Sequence, residues 1–163
     1  MEPQKENGPT IIRQQGRELL RGNAAGGDNW YKSCFNLYLI MTRINCVPVD
    51  ELSGPHLVAE YRELPRVFAL AEKAAARGAF SQPSNYTLGK GHVLFFYTRL
   101  GYLARRHAEL IEEMKRRGYK PSFTGIKRED FPLIPNSFWC SWEPTDEALQ
   151  LNRQRIKERS PKT

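Results

Sequence analysis

The densest acid–base chemistry in this chain lies between His56 and Arg66. At about 100° per residue, His56, Glu60, Glu63 and Val67 share one arc of a helix, and Arg62 and Arg66 continue round its edge. Such a face would hold two carboxylates, an imidazole and two guanidiniums within mutual reach, groups suited to proton transfer and to gripping phosphate. The same spacing also describes a solvated helix face with a Glu63–Arg66 pair at i,i+3. A catalytic reading further needs a nucleophile, and no Ser, Cys or Lys falls on this arc. The residue pattern leaves both readings open.

A second constellation is basic. Arg153, Arg155 and Arg159 fall in one helical pattern, with the last two at i,i+4, and Arg99, Arg105 and Arg106 fall in another. Guanidinium forks match phosphate geometry, and a row of them supplies sequence-independent affinity for DNA. Solubility charge accounts for them equally well. Phe138, Trp139 and Trp142 offer rings for stacking on bases, although such rings more commonly cover a core. Gly89-Lys90-Gly91 lacks the spacing of a phosphate-binding glycine loop. His56, His92 and His107 have no metal-ligand spacing, and no Ser-His-Asp or Cys-His signature stands out, with Cys46 near His56 as the one loose candidate.

The elements that must position these groups read as helices. Asp50 or Ser53 can cap a helix over about 56–78, with Leu57, Tyr61, Leu64 and Phe68 as its core stripe and Pro65 as a kink. A glycine- and proline-bearing loop follows over 79–91. The second helix is predicted over about 92–117, stopped by Gly118, with Phe96, Leu100, Leu103, His107, Leu110, Ile111 and Met114 facing inward. Residues 119–144 are rich in proline and aromatics and read as irregular structure on the core. A third helix is expected over about 145–159, with Thr145 as its cap and Leu149, Asn152 and Ile156 along one side. No segment reads as a strand. The expected fold is all-α: a single compact domain of three principal helices with long loops, the first kinked at Pro65.

Composition sets the frame. The 163 residues include 25 Lys and Arg against 18 Asp and Glu, a net charge of +7. That length suits one domain. No apolar run reaches the length of a membrane span, and the three cysteines form no CxxC pair. Residues 1–28 are polar and glycine-bearing, and residues 1–40 read as an N-terminal leader outside the fold, or as a start assigned too far upstream. The basic excess belongs to the remainder.

Longer motifs then carry a resemblance. Met41-Thr42-Arg43-Ile44-Asn45, the unbroken run from His56-Leu57-Val58-Ala59-Glu60-Tyr61 through Arg62-Glu63-Leu64-Pro65-Arg66-Val67-Phe68, and Gly91-His92-Val93-Leu94-Phe95-Phe96-Tyr97 resemble the pyrimidine-dimer DNA glycosylase and abasic-site lyase family, of the phage endonuclease V type. The likeness continues through Glu109-Leu110-Ile111-Glu112, Arg117-Gly118 and Ile134-Pro135, running in order over 41–159. The resemblance implies an all-α DNA-repair enzyme that needs no cofactor or metal. Its nucleophile would be the α-amine of Thr42, freed when Met41 is removed, and its catalytic carboxylate Glu63. Arg43, Arg62 and Arg66 would hold phosphates around the lesion, His56 would contact the minor-groove side, and Arg155 and Arg159 would grip phosphates from the last helix. The partner would be double-stranded DNA carrying pyrimidine dimers or abasic sites, bound by a monomer in the cytoplasm, at the nucleoid, with no membrane involved.

Two departures bear on this expectation. The founding member of the family ends in an aromatic- and lysine-rich tail that grips the dimer. Ser160-Pro161-Lys162-Thr163 do not match it, leaving Trp139 and Trp142 to compensate and the lesion range open. Thr42 is also preceded by residues 1–41. With these attached its nitrogen is an amide, and the chain would be a non-catalytic module for damaged or kinked DNA. An upstream start assignment, with translation beginning at Met41, is the favoured explanation, ahead of proteolytic removal of the leader.

Overall fold

The computed structural model describes residues 44–159. The expected leader, Thr42 and Arg43 lie outside the described residues, as do Ser160–Thr163. The described part is helical, with no strand among its residues and a single isolated bridge between Arg99 and Trp139. Five α-helices occur in order: α1 (Gly54–Glu63), α2 (Pro65–Arg77), α3 (His92–Phe95), α4 (Leu100–Arg116) and α5 (Asp146–Arg159). The sequence pattern of three principal helices is visible in this list, with the first bent and the second in two pieces.

The bend lies where proline requires it. Pro65 has no N–H to donate back into α1, so the ladder is interrupted and the helix bends by 31°. Leu64 stays helical and joins the halves, donating to the Glu60 carbonyl and accepting from Val67. Leu57, Tyr61, Leu64 and Phe68 are all buried, as their spacing predicted, and α1 packs on α4. Gly78 ends α2 at φ 92° and Gly118 follows α4 at φ 81°, both in the left-handed region that glycine tolerates.

The second helix departs from its expected continuity. Phe96, Tyr97 and Arg99 donate to carbonyls three residues back, so α3 tightens and ends before α4 begins. The cause comes from far along the chain. The backbone of Trp139 and Cys140 lies against the first turn of α4, so close that a Cβ at Gly101 would meet the Trp139 carbonyl oxygen at 2.8 Å. The inward stripe Leu100, Leu103, His107, Leu110, Ile111 and Met114 is nonetheless buried throughout. On α5 the Thr145 hydroxyl accepts the Ala148 N–H at 3.2 Å, the expected cap. Residues between α4 and α5 form two short 3₁₀ turns and extended connections over the core.

Candidate active site

Helix α1 presents the acid–base cluster at its solvent edge and ends just before the bend. Glu63 is half-buried, with 29% of its side chain exposed, and it pairs with Arg66 across the break. Arg66 is largely exposed, and Arg62 is exposed with no ion pair among the described residues. His56 is half-buried, its Nδ1 2.8 Å from the Ser53 hydroxyl. Burial lowers the His56 pKa, and the nearby Glu60 charge offsets this only in part. The Glu63–Arg66 pair expected of a solvated face is present. The arc as a whole is not solvated, because Val67 and Glu60 are both buried.

Glu60 is turned into the protein, where it meets Arg106 of α4. The pair is buried, with side chains 1% and 3% exposed and an Nε–Oε1 distance of 3.0 Å. Burial alone would lower the Arg106 pKa, but the Glu60 carboxylate outweighs it and raises the pKa, keeping the guanidinium charged. Removing one partner of such a pair strands the other and costs about 3–5 kcal/mol.

Around this pair the segment 44–47, which has no neighbouring strand, is tied down by side chains. Ile44 N–H donates to His92 Nε2 at 3.0 Å, and Asn45 N–H to Glu60 Oε1 at 3.2 Å. Cys46 and Val47 N–H groups share Asn152 Oδ1 at 2.8 and 3.3 Å. The Asn45 amide donates to Glu60 Oε2 at 2.8 Å, and the Asn152 amide donates back to Asn45 Oδ1 at 3.0 Å. Arg106 donates to the Val47 carbonyl at 2.6 Å and Tyr86 to the Ile44 carbonyl at 3.3 Å. Because Nε2 of His92 accepts, its proton resides on Nδ1, which donates to the Thr87 carbonyl at 2.7 Å. Burial holds this imidazole neutral by lowering its pKa. The loose Cys46 candidate falls away here: burial pushes its thiol up to about 11, and the thiol donates to the Ala148 carbonyl.

Most of the other arginines are engaged within the protein. Arg99 lies over the Phe95 ring, 3.8 Å from its centroid. Arg105 pairs with Glu143 at 2.6 Å, Arg153 with Glu51 at 2.7 Å and Arg155 with Glu158 at 3.3 Å. Arg159 is exposed with no ion pair among the described residues. Trp142 packs edge-on against Phe95, Phe96 and Tyr102, and Trp139 leans on Phe68, so both act as core cover. Thr42 and Arg43 lie outside the described residues, with Ile44 the first residue after them.

Sequence spacing singled out the outer half of this site and placed Glu60 on the same arc and Arg106 in a basic row, without showing that the two pair inside the protein. Asn45 and Tyr86 stand in loops with no periodicity to mark them, and Arg106 is 46 residues from Glu60. Asn152 carried a usable signal, a polar residue set between Leu149 and Ile156 on one side of its helix.

A family model described as pyrimidine dimer DNA glycosylase matches residues 41–125, just over half of the chain. The chain belongs to this family. Membership makes it a DNA-repair glycosylase whose substrate is DNA containing pyrimidine dimers. The matched span opens at Met41-Thr42 and contains His56, Arg62, Glu63 and Arg66 together with Asn45, Glu60, Tyr86, His92 and Arg106. Helix α5, with Asn152, Arg155 and Arg159, follows it. No described helix is long and apolar enough to cross a membrane.

Proposed function

We propose that this family member cleaves the glycosidic bond of the 5′ pyrimidine of a cyclobutane dimer, and then the strand, through an imine on the α-amine of Thr42. The observation that carries the reading is the side-chain-fixed run over 44–47. It begins two residues after Thr42 and is bonded to Glu60, one helical turn before the half-exposed Glu63. The match to the family model from residue 41 also supports it, because removal of Met41 exposes this amine.

The chemistry follows from the groups. An α-amine has a pKa of about 7.7–8.0, so at pH 7 its neutral fraction exceeds that of lysine by roughly two orders of magnitude. The guanidiniums of Arg43, Arg62 and Arg66 disfavour its protonated form further. The neutral nitrogen attacks the sugar C1′; the bond from C1′ to the pyrimidine breaks, and the base takes the electron pair. Glu63 stabilises the positive charge that develops on the sugar and relays the amine's proton to O4′ as the ring opens to the imine. Loss of a C2′ proton then expels the 3′ phosphate by β-elimination. Water hydrolyses the imine and returns the free amine. An abasic site in its ring-opened form carries C1′ as an aldehyde, and the amine condenses with it to the same imine with loss of water.

Arg62, Arg66 and Arg43 hold phosphates around the lesion, with His56 on the minor-groove side and Arg155 and Arg159 gripping the backbone further away. Arg155 must exchange its Glu158 partner for phosphate to do so. The active form begins at Thr42, with residues 1–40 a leader that is absent or removed.

Borohydride trapping on a dimer-containing duplex tests the reading, comparing a chain begun at Met41 with the full sequence. The expected result is a covalent adduct mapping to Thr42 in the shorter form. Tight DNA binding with no adduct from either form would overturn the imine mechanism and leave a binding module.

A further inference from the structure

Four successive backbone N–H groups, from Ile44 to Val47, all donate to side chains, and those side chains come from three helices: His92 of α3, Glu60 of α1 and Asn152 of α5. Arg106 of α4 and Tyr86 of the preceding loop hold carbonyls of the same run. Buried backbone groups usually pair with other backbone groups in ladders or turns. Here an irregular run is held by buried polar side chains instead; Glu60 and Asn152 are also joined to each other through the Asn45 amide, and Arg106 bonds Glu60 directly. Packing alone does not call for this arrangement. Ile44 and Val47 are already fully buried and anchor the run apolarly. What the bonds add is direction and register at the N-terminal end of the run.

An N-terminal nucleophile needs both. Chain termini are the least ordered part of most domains, whereas attack requires the reacting atoms to be held about 3–3.5 Å apart. Two extended residues span at most about 7 Å, so the reach of an amine on Thr42 is bounded by where the run is held at Ile44. Glu60 and Glu63 ride the same helix. The residue that fixes the run and the carboxylate that serves the amine therefore keep a constant separation.

We propose that Asn45, Glu60, His92 and Asn152 are positioning residues that aim the Thr42 amine at Glu63 and the sugar C1′. The inference rests on the imine reading given above. It assigns to the buried polar cluster a role in the rate of chemistry in addition to its place in the core.

The test uses whichever form of the chain yields the Thr42 adduct. Asn45→Ala removes the amide that bridges Glu60 and Asn152. His92→Asn keeps a donor for Thr87 but is too short to accept from Ile44. Each variant is compared with its parent in trapping rate, in affinity for DNA holding a tetrahydrofuran abasic analogue, which forms no imine, and in the pH midpoint of trapping. A displacement of about 1 Å is enough to slow a reaction roughly 100-fold. Folded variants are therefore expected to trap about 10–100-fold more slowly with affinity retained, and their pH midpoint should move toward the ~7.7–8.0 of an ordinary α-amine. Trapping at the parental rate and pH midpoint, or rate and affinity lost together, would overturn the inference. Hydrogen exchange of the unaltered protein supplies a readout independent of variant folding. The N–H groups of 44–47 should exchange as slowly as those of central α4, and fast exchange would also overturn it. A parental adduct on a residue other than Thr42 defeats the imine reading itself. An adduct at Thr42 with unaffected variants defeats only the positioning role.

Discussion

Glu63 is the carboxylate on α1 that is neither sealed in the core nor fully solvated, and its only ion pair among the described residues is with the exposed Arg66. That environment leaves it able to meet a cationic intermediate. Glu63→Gln removes the charge while keeping shape and frees Arg66 for phosphate. Single-turnover base release should therefore fall by about 10²–10⁴-fold with DNA affinity retained or raised, as measured by quenched kinetics beside equilibrium binding. An equal fall in affinity would show that Glu63 serves binding instead. The sequence alone already placed Glu63, Arg62 and Arg66 together, because residues three and four apart share a helix face. It gave no means to separate Glu60 from Glu63. The inward turn of Glu60 depends on Arg106, and a partner 46 residues distant leaves no trace in local spacing.

Among the elements, the apolar stripes of the first two predicted helices and the Thr145 cap were readable because period and capping are local properties. The break between α3 and α4 was not, since its cause is the Trp139–Cys140 backbone lying on Gly101. This contact makes a sign prediction possible. In a free helix Gly→Ala would stabilise by about 1 kcal/mol. At Gly101 the added Cβ would lie 2.8 Å from the Trp139 carbonyl oxygen and 3.0 Å from that of Cys140, both backbone atoms that cannot rotate away. Overpacking of that kind costs about 1–3 kcal/mol, enough to reverse the propensity gain. Gly101→Ala should thus lower the urea midpoint, by an amount equivalent to about 1 kcal/mol. A rise would mean the 139–140 segment is free to move off α4.

Across the whole molecule, burial places all three histidines in the same electrostatic position. His56, His92 and His107 each have their pKa lowered from the ordinary 6.5, first by burial and against smaller opposing contacts. His92 has a further reason to remain neutral, because protonating Nε2 would destroy its acceptor for Ile44 N–H. In the unfolded chain these imidazoles take up protons near 6.5, while in the folded chain they do so only at lower pH. Acid therefore favours unfolding, and stability is complete above about 6.5 and declines as pH falls through and below it. Glu113 acts in a separate window. Hydrogen bonds from Arg116, and then from Arg117, hold its pKa down at about 2, so its contribution is intact above the ordinary 4.5 and is lost between there and about 2. Urea unfolding across pH 7.5 to 3 should show two successive losses, the first below pH 6.5 and the second below pH 4.5. His107→Leu should flatten part of the first and leave the second in place. A stability that stays level from pH 7 to 5 would show that the buried imidazoles accept protons without penalty. It would also remove the neutral His92 on which the Ile44 anchor depends.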